Sequence, residues 1–349
     1  MIVNDLFCGC GGMGLGFKQA GFTIAGAWDF DKYAIQSYKE NVGDHAAQAD
    51  IRDMSAKDLP LADLWTFGFP CQDISVAGKG AGLVEGKRSG LFFEVMRLLE
   101  QTPEYDKPLF ILAENVKQLK KYLPIVEHEY NKQGYHMIAQ LYNSKYWGVP
   151  QNRERCFILG IHNRLRSEFT FPVEQKSFVP RLSSVLESQV DEKYYISDEK
   201  AQTIIKQALE RLDKLGGIHA CITPDRADKR QNGRRAKGEE EEMCTLTAQD
   251  LHGVICRETG LLNPNGVAKT LRVGGKGSIS KKHNYEHVLV ENYRVRKLTE
   301  REYARLQGFP DDYQIVVSKS QAYKQLGNAV TVNVAYEIAK RLGDFPCIT

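Results

Sequence analysis

Residues 1 to about 165 predict an α/β fold built on a doubly wound, mostly parallel β-sheet. Short apolar runs alternate along this part of the chain with stretches of helical periodicity. A parallel sheet that is covered by helices on both faces buries its strands, so the strands read as apolar runs and the helices lie between them. At 349 residues the chain is also long enough for one large domain and a second, smaller one.

The expected elements of this first part follow one another in regular order. The strands are Ile2–Phe7, Thr23–Trp28, Ala46–Ala49, Leu64–Phe67, Leu109–Ala113, Met137–Tyr142 and Arg155–Ile161. The helices are Gly14–Ala20, Lys32–Glu40, Leu91–Gln101 and Ile125–Gln133. Because strand and helix alternate, most connections are crossovers between parallel strands.

The middle of the chain has a different character. An apolar stripe along Ser197–Leu215 predicts one amphipathic helix, and a polar run at 224–242 is expected to be a mobile loop. Order returns with a capping-box pattern at Thr299 and Glu302 and a final amphipathic helix at Val332–Leu342, which suits packing against the first domain. We therefore expect one domain at 1–175 and 318–349, and a smaller, irregular recognition domain at 176–317.

Composition excludes several classes of protein. Charged residues make up 26% of the chain and hydrophobic residues 42%, which is typical of a globular protein. Mean hydropathy is −0.41, no apolar run approaches ~20 residues and the amino terminus lacks a signal-peptide pattern, so we expect a cytoplasmic protein without a membrane span. The 8 cysteines form neither a disulfide pattern nor a C-x-x-C pair, and no metal site is expected. A net charge of +3 permits an anionic partner without requiring one.

A glycine-rich turn follows the first predicted strand. Gly9, Gly11 and Gly14 have the G-x-G-x-x-G spacing between a strand and a helix, and Asp29 closes the second strand where an acid would meet ribose hydroxyls. A plain tight turn is the alternative, and the pattern does not distinguish NAD from S-adenosylmethionine. Phe30 could stack on an adenine ring. Asp50 could accept the adenine amino group, or it could simply cap a turn.

Three further groups of polar residues stand at predicted strand ends. Cys71 follows the fourth strand in "GFPCQ", and Glu114 follows the fifth in "LFILAENV". A thiol needs local help to act as a nucleophile, and a carboxyl that leaves an apolar strand can acquire the raised pKa of a general acid. Arg153 and Arg155 in "QNRER" would face one side of a strand as a fork for carbonyl or phosphate oxygens. A buried inert cysteine and a surface ion pair with Glu154 are the alternatives.

The ordered set of motifs "DLFCGCGG", "GFPCQ", "ENV", "QNRER", "RKLTEREYARLQGFPDDY" and "QLGNAV" resembles the DNA cytosine-5 methyltransferases of bacterial and phage modification type. The resemblance runs from Asp5 to Val334, with a gap over the middle domain. It implies a sheet of the Rossmann-like methyltransferase type. It also implies that Cys71 attacks C6 of a flipped-out cytosine, Glu114 holds the ring N3 and supplies a proton, and Arg155, with Arg153 nearby, grips the carbonyl oxygen.

The same resemblance implies S-adenosyl-L-methionine as the cofactor, with S-adenosyl-L-homocysteine as its product. The residues expected to line the cofactor pocket are Phe7, Gly9, Gly11, Gly12, Asp29, Phe30, Asp50, Ile51, Leu91, Asn328, Ala329 and Val330. Asp29 stands where the family usually has glutamate, so its contact with the ribose would be longer or mediated by water. Cys8 and Ala49 depart from the family pattern only in size.

The middle domain is expected to recognise the DNA sequence. Two Thr-Leu pairs, at 245–246 and 270–271, are similar to the element found in the family's recognition domains, and the sequence does not decide between them. Basic residues, including Lys79, Lys87 and Arg88 in the loop from Gln72 to Gly90 and the run Lys229–Lys237, suit contacts with phosphates. The loop is expected to move and close over the flipped base.

The partners follow from this interpretation. We expect a monomer that acts on double-stranded DNA at the nucleoid, without a membrane and without a stable complex with any cognate restriction endonuclease. An RNA (tRNA) cytosine-5 methyltransferase and an inactive DNA-binding relative are the alternatives. An NAD-dependent oxidoreductase would not explain the three motifs together, and a zinc deaminase would need the P-C-x-x-C pattern that is missing.

Overall fold

The structure is a computed structural model, which describes residues 1–70, 90–165, 168–209, 218–226, 235–238, 241–246, 251–258 and 292–345. Several predicted features lie outside these ranges, namely Cys71, the loop to residue 89, the Thr-Leu pair at 270–271 and most of the basic run at 229–237. The chain divides into two compact units. The first comprises Met1–Val185, Cys244–Gln249 and Glu300–Thr349, and the second comprises Leu186–Met243 and Asp250–Thr299.

The first unit contains a seven-stranded sheet in the order β3-β2-β1-β4-β5-β7-β6. The strands are β1 (Ile2–Leu6), β2 (Thr23–Asp29), β3 (Ala46–Gln48), β4 (Leu64–Phe67), β5 (Phe110–Val116), β6 (Tyr135–Asn143) and β7 (Glu154–His162). The pairs among β1 to β5 are parallel, while β7 runs antiparallel to both of its neighbours. The predicted α/β fold with a mostly parallel sheet is confirmed.

The helices of the first unit include the four predicted between strands and the predicted final helix, together with one at 319–328 that was not predicted. They are α1 (Gly12–Gln19), α2 (Lys32–Asn41), α3 (Leu91–Gln101), α4 (Leu123–Lys132), α6 (Glu300–Leu306), α7 (Lys319–Asn328) and α8 (Val332–Gly343), with α5 (Asp198–Leu209) in the second unit. The final amphipathic helix was predicted to suit packing against the first domain, and the structure shows that its partner there is α1. The two helices approach so closely that a Cβ placed on Gly16 would lie 2.7 Å from that of Ala335.

Two hydrophobic clusters explain why the central strands are apolar throughout. In β5, Phe110 and Leu112 belong to the cluster that also contains residues of α1 and α8. Ile111 and Ala113 belong to the cluster that contains residues of α3 and α4. Successive side chains of a strand point to opposite faces, so a strand covered on both faces is apolar without alternation.

The second unit contains an antiparallel sheet in the order β10-β9-β8. Its strands are β8 (Ile218–Ile222), β9 (His252–Glu258) and β10 (Asn292–Lys297). The helix α5 confirms the start of the predicted helix at 197–215, and residues 210–215 lie outside the described part. From the sequence this region was predicted only to be an irregular domain, and none of these three strands was named.

The two units differ in their bounds from the expected domains. Residues 176–185, 244–249 and 300–317 were expected in the recognition domain and belong to the first unit. The roles assigned to the two domains stay predictions. No helix among the described residues is long and apolar enough to cross a membrane.

Candidate active site

The carboxyl ends of β4 and β5 bring two of the predicted motifs together. The strands are parallel neighbours, with Phe67 beside Ala113, so the residues that follow them lie at the same edge of the sheet. A Cβ placed on Gly68 would lie 3.5 Å from Oε2 of Glu114. The Glu114 carboxylate therefore lies over the segment that leads to Cys71.

The Glu114 carboxyl is buried and paired with an arginine. Its Oε1 lies 3.1 Å from Nε of Arg155 on the neighbouring strand β7, and both side chains are at most 17% exposed. Burial raises the pKa of Glu114, while the charges of Arg155 and Arg153 oppose that rise. A buried carboxyl with a raised pKa is suited to exchanging a proton with a bound base.

Asn115 connects the same two strand ends. Its side-chain amide Nδ2 donates a hydrogen bond to the carbonyl oxygen of Phe69 at 2.9 Å, and its Oδ1 accepts from the backbone N–H of Val116 at 2.8 Å. The Asn115 side chain is buried, so this bond fixes the backbone two residues before Cys71. The sequence analysis gave Asn115 no role of its own, although an amide at the end of an apolar strand was the available signal.

Arg153 was expected to assist in gripping the base, and the structure gives its guanidinium other partners. Arg153 is only 1% exposed. Its guanidinium donates to the carbonyl oxygens of Leu246, Gly327 and Ala329 at 3.1, 3.2 and 2.7 Å. These backbone contacts engage the Arg153 guanidinium, and its part in gripping the base stays a prediction. The strand β7 begins at Glu154, one residue before its predicted start, so Arg155 lies within the strand and Arg153 just outside it.

The glycine-rich turn forms a cradle at the carboxyl end of β1. The backbone takes a left-handed conformation at Phe7, Gly9 and Gly11, with φ of 54°, 55° and 95°. Among the residues that the structure describes, none has an atom within 4 Å of the position that a Cβ would take on Gly9, apart from its own chain neighbours. At Gly12 a Cβ would lie 2.3 Å from the carbonyl oxygen of Val330, so the turn packs directly against the returning carboxyl-terminal segment.

Asp29 and Phe30 form one edge of the cradle. Oδ2 of Asp29 accepts from the backbone N–H of Gly9 at 3.0 Å, and Oδ1 accepts from that of Asp31 at 2.8 Å. Burial raises the pKa of Asp29, and these two hydrogen bonds partly offset that effect. The Phe30 ring is 64% exposed and so presents a free face beside the carboxylate.

Asp50 caps a turn, which was the alternative that the sequence left open. It precedes the short 3₁₀ helix Ile51–Asp53 and accepts from the backbone N–H of Arg52 at 3.0 Å. The Arg52 guanidinium also pairs with it, and this hydrogen bond lowers the pKa of Asp50 to about 2. A contact of Asp50 with adenine stays a prediction. Ile51 and Leu91 pack on the same hydrophobic cluster.

The remaining expected cofactor residues lie at the end of α7. Asn328 is exposed, whereas Ala329 and Val330 are buried. The backbone of Val330 contacts Gly12, so the structure brings the two predicted cofactor segments together although they are far apart in sequence. The open space over Gly9, the carboxylate of Asp29 and the exposed ring of Phe30 fit a nucleoside-type ligand.

Comparison with known proteins agrees with this arrangement. The family model for C-5 cytosine-specific DNA methylases matches residues 1–344. The type II methyltransferase M.HhaI of Haemophilus parahaemolyticus is 31% identical over 97% of this chain and 93% of its own. The type II methyltransferase M.NlaX of Neisseria lactamica is 33% identical over 97% of this chain and 95% of its own. For M1.ScrFI of Lactococcus lactis the identity is 34%, with 97% and 77% covered.

Two solved structures share the fold. The S. pombe Dnmt2 methyltransferase aligns with a TM-score of 0.67 at 21% identity, covering 99% of this chain and 100% of that one. The Entamoeba histolytica methyltransferase EhMeth aligns with a TM-score of 0.67 at 18% identity, covering 99% and 98%. At such identities the likeness concerns the fold alone. The family model and the curated relatives favour DNA over the RNA alternative, and they imply the use of S-adenosylmethionine. This chain belongs to the C-5 cytosine-specific DNA methylase family.

Proposed function

We propose that this enzyme methylates C5 of a flipped-out cytosine within a short recognition sequence of double-stranded DNA, with Cys71 as the nucleophile. The position of Glu114 is the main support for the proposal. Its carboxylate lies over Gly68, and Asn115 holds the carbonyl of Phe69, so the acid and the segment that leads to Cys71 share one edge of the sheet.

The chemistry requires two groups that act at opposite positions of the cytosine ring, one at C6 and one at N3. The Cys71 thiolate adds to C6, and the electron pair of the C5–C6 bond moves toward C5 while Glu114 donates a proton to N3. Once C5 has taken the methyl group, it would lose its proton to solvent, and the thiolate would then leave C6 as the C5–C6 double bond re-forms and N3 returns its proton to Glu114. Burial keeps a proton on Glu114 more readily than on an exposed carboxyl, and Arg155 orients that carboxyl at 3.1 Å.

The cofactor cradle would hold S-adenosylmethionine, which supplies an electrophilic methyl group when bound. Asp29 would accept the ribose hydroxyls, and the exposed Phe30 ring would cover the adenine. Gly9 leaves open space for the ligand, and Ala329 and Val330 would close the far side. A base within a duplex is out of reach of this edge, so the target must leave the base stack.

The enzyme acts as a monomer at the nucleoid, because one catalytic unit and one recognition region suffice for a single strand of a site. If a cognate restriction endonuclease exists, it reads the same sequence without a stable complex with this chain.

Bisulfite sequencing tests the activity and the nucleophile together. DNA from a methylation-deficient host that expresses the chain is compared with DNA from hosts that express Cys71→Ala or, as a matched control, Cys347→Ala. We expect protected cytosines in one short motif with the wild type and with Cys347→Ala, and none with Cys71→Ala. Complete conversion in all samples would exclude DNA methylation by this chain, and protection in the Cys71→Ala sample would exclude the covalent step.

Glu114→Gln tests the acid. Glutamine keeps the shape of the side chain but cannot supply the proton, so the single-turnover rate should fall by about 10²- to 10⁴-fold. DNA affinity, measured by fluorescence anisotropy, should stay within about twofold of the wild type, since the group acts on the base only after flipping. An unchanged rate would remove Glu114 from the mechanism.

A further inference from the structure

A short piece of the middle region belongs with the catalytic unit. Residues Cys244–Gln249 are part of the first unit, whereas the chain before them, from Leu186, and after them, to Thr299, is part of the second. The described part of this piece ends at Leu246, which is 1% exposed. The region expected to recognise DNA is therefore interrupted by a short segment that is buried in the first unit.

Side chains of the "QNRER" motif hold this segment by its backbone. The backbone N–H of Leu246 donates to Oε1 of Gln151 at 3.0 Å, and its carbonyl oxygen accepts from Nη1 of Arg153 at 3.1 Å. The hydroxyl of Thr245 donates to the carbonyl oxygen of Asn152 at 2.6 Å. Both backbone groups of Leu246 are thus satisfied, much as a neighbouring strand would satisfy them.

The same two side chains also hold the core of the catalytic unit. Nε2 of Gln151 donates to the carbonyl oxygen of Leu306 at 2.7 Å, at the end of α6. Arg153 reaches Ala329, which is one of the residues expected to line the cofactor pocket. Gln151 and Arg153 are 0% and 1% exposed, so these bonds are made in a buried environment where unpaired groups are costly.

Arg153 is two residues along the chain from a residue of the candidate active site. Arg155, which pairs with Glu114, follows Arg153 at the start of β7. A displacement of the turn at Gln151–Arg153 would therefore reach the arginine that orients the acid. Conversely, a segment held by that turn is fixed relative to the catalytic carboxyl.

We propose that Gln151 and Arg153 are positioning residues that clasp Thr245–Leu246, so that DNA binding by the residues flanking this segment is converted into correct placement of the target cytosine. The inference rests on the proposed function. The clasp acts after DNA has bound, when the target cytosine is placed, and it does not affect cofactor binding. Of the two Thr-Leu pairs in the sequence, the inference gives this role to the pair at 245–246.

Thr245 offers the mildest test, because valine has the shape of threonine without its hydroxyl. Thr245→Val should lower the single-turnover methylation rate and the fluorescence of 2-aminopurine at the target position by about 2- to 13-fold, the effect of losing one hydrogen bond of about 0.5–1.5 kcal/mol. Thr245→Ser keeps the hydroxyl and should stay within about twofold of the wild type. The affinities for DNA and for S-adenosylhomocysteine should not change in either variant.

Thr203→Val is the matched control, since the Thr203 hydroxyl also donates to a backbone carbonyl, that of Glu199 at 3.2 Å, on a helix of the second unit. This variant should behave as the wild type in all four measurements. The clasp is refuted if Thr245→Val equals the wild type, if Thr245→Ser fails to restore the rate, or if DNA affinity falls in proportion to the rate. The proposed function fails separately if the wild type neither methylates DNA nor flips a base.

Discussion

The substitution of Gly9 by alanine tests whether the open space in the cradle is where the cofactor binds. Gly9 has a φ of 55°, and no described residue beyond its chain neighbours comes within 4 Å of the position that an alanine methyl group would take. The substitution therefore adds backbone strain and places a methyl group in empty space. The strain of a left-handed alanine costs about 1–2 kcal/mol, and a methyl group that overlaps a bound ligand costs about 1–3 kcal/mol more.

Gly21 provides a matched control in the turn between α1 and β2. It has a φ of 87°, and within the described part of the chain a Cβ there also meets nothing within 4 Å. Both alanine variants should lose about 1–2 kcal/mol of stability, or roughly 2–8 °C in Tm. Only Gly9→Ala should weaken S-adenosylmethionine binding, by about 5- to 160-fold, because only its methyl group enters the cradle.

Thermal unfolding and isothermal titration calorimetry give the two quantities separately. If both variants bind the cofactor equally well, the space over Gly9 does not hold the ligand and the cradle is assigned wrongly. If Gly21→Ala loses affinity as well, general destabilisation explains the effect and the reasoning from local space fails.

Three other perturbations have expected outcomes. Asn115→Leu leaves the carbonyl of Phe69 without its partner, so stability should fall by about 1–3 kcal/mol and the methylation rate should fall while cofactor affinity, measured by calorimetry, stays. Burial raises the pKa of Asp5 from 3.8 to about 7, so its contribution to stability is fully present below pH 3.8 and is lost as the pH rises through about 7. Urea unfolding from pH 4 to 8 should show that the free energy of unfolding of Asp5→Asn rises relative to that of the wild type. An equal pH dependence of the two free energies would contradict this. Arg52→Gln frees the Asp50 carboxylate and should raise cofactor affinity if Asp50 bonds the adenine; an unchanged Kd would exclude that contact.

Much of the catalytic edge could be predicted from the sequence because it depends on local pattern and on parallel pairing. The apolar runs that become β4 and β5 place Gly68 and Glu114 at neighbouring strand ends, and the spacing between Gly9 and Asp29 reflects one strand–helix–strand unit. Such features follow from the periods of strands and helices and from the right-handed crossover.

The features that escaped prediction depend on contacts between distant residues. The partners of the Arg153 guanidinium are backbone carbonyl groups 93 to 176 residues away, which no local pattern identifies. The contact between Gly12 and Val330 likewise has no local signature. A single sequence shows which side chains can make hydrogen bonds but not which distant backbone groups will accept them.

The packing of α8 against α1 sets an order of events during protein synthesis. The two helices are roughly 300 residues apart in the chain, and a ribosome that adds about 5–20 residues per second needs about 15 to 60 s to cover that interval. During that time Val330 has not yet been added next to the glycine turn, and α8 does not yet cover the apolar face of α1. A nascent chain therefore cannot assemble the cofactor cradle, and competence for methyl transfer should arise abruptly when the last helix emerges from the ribosome.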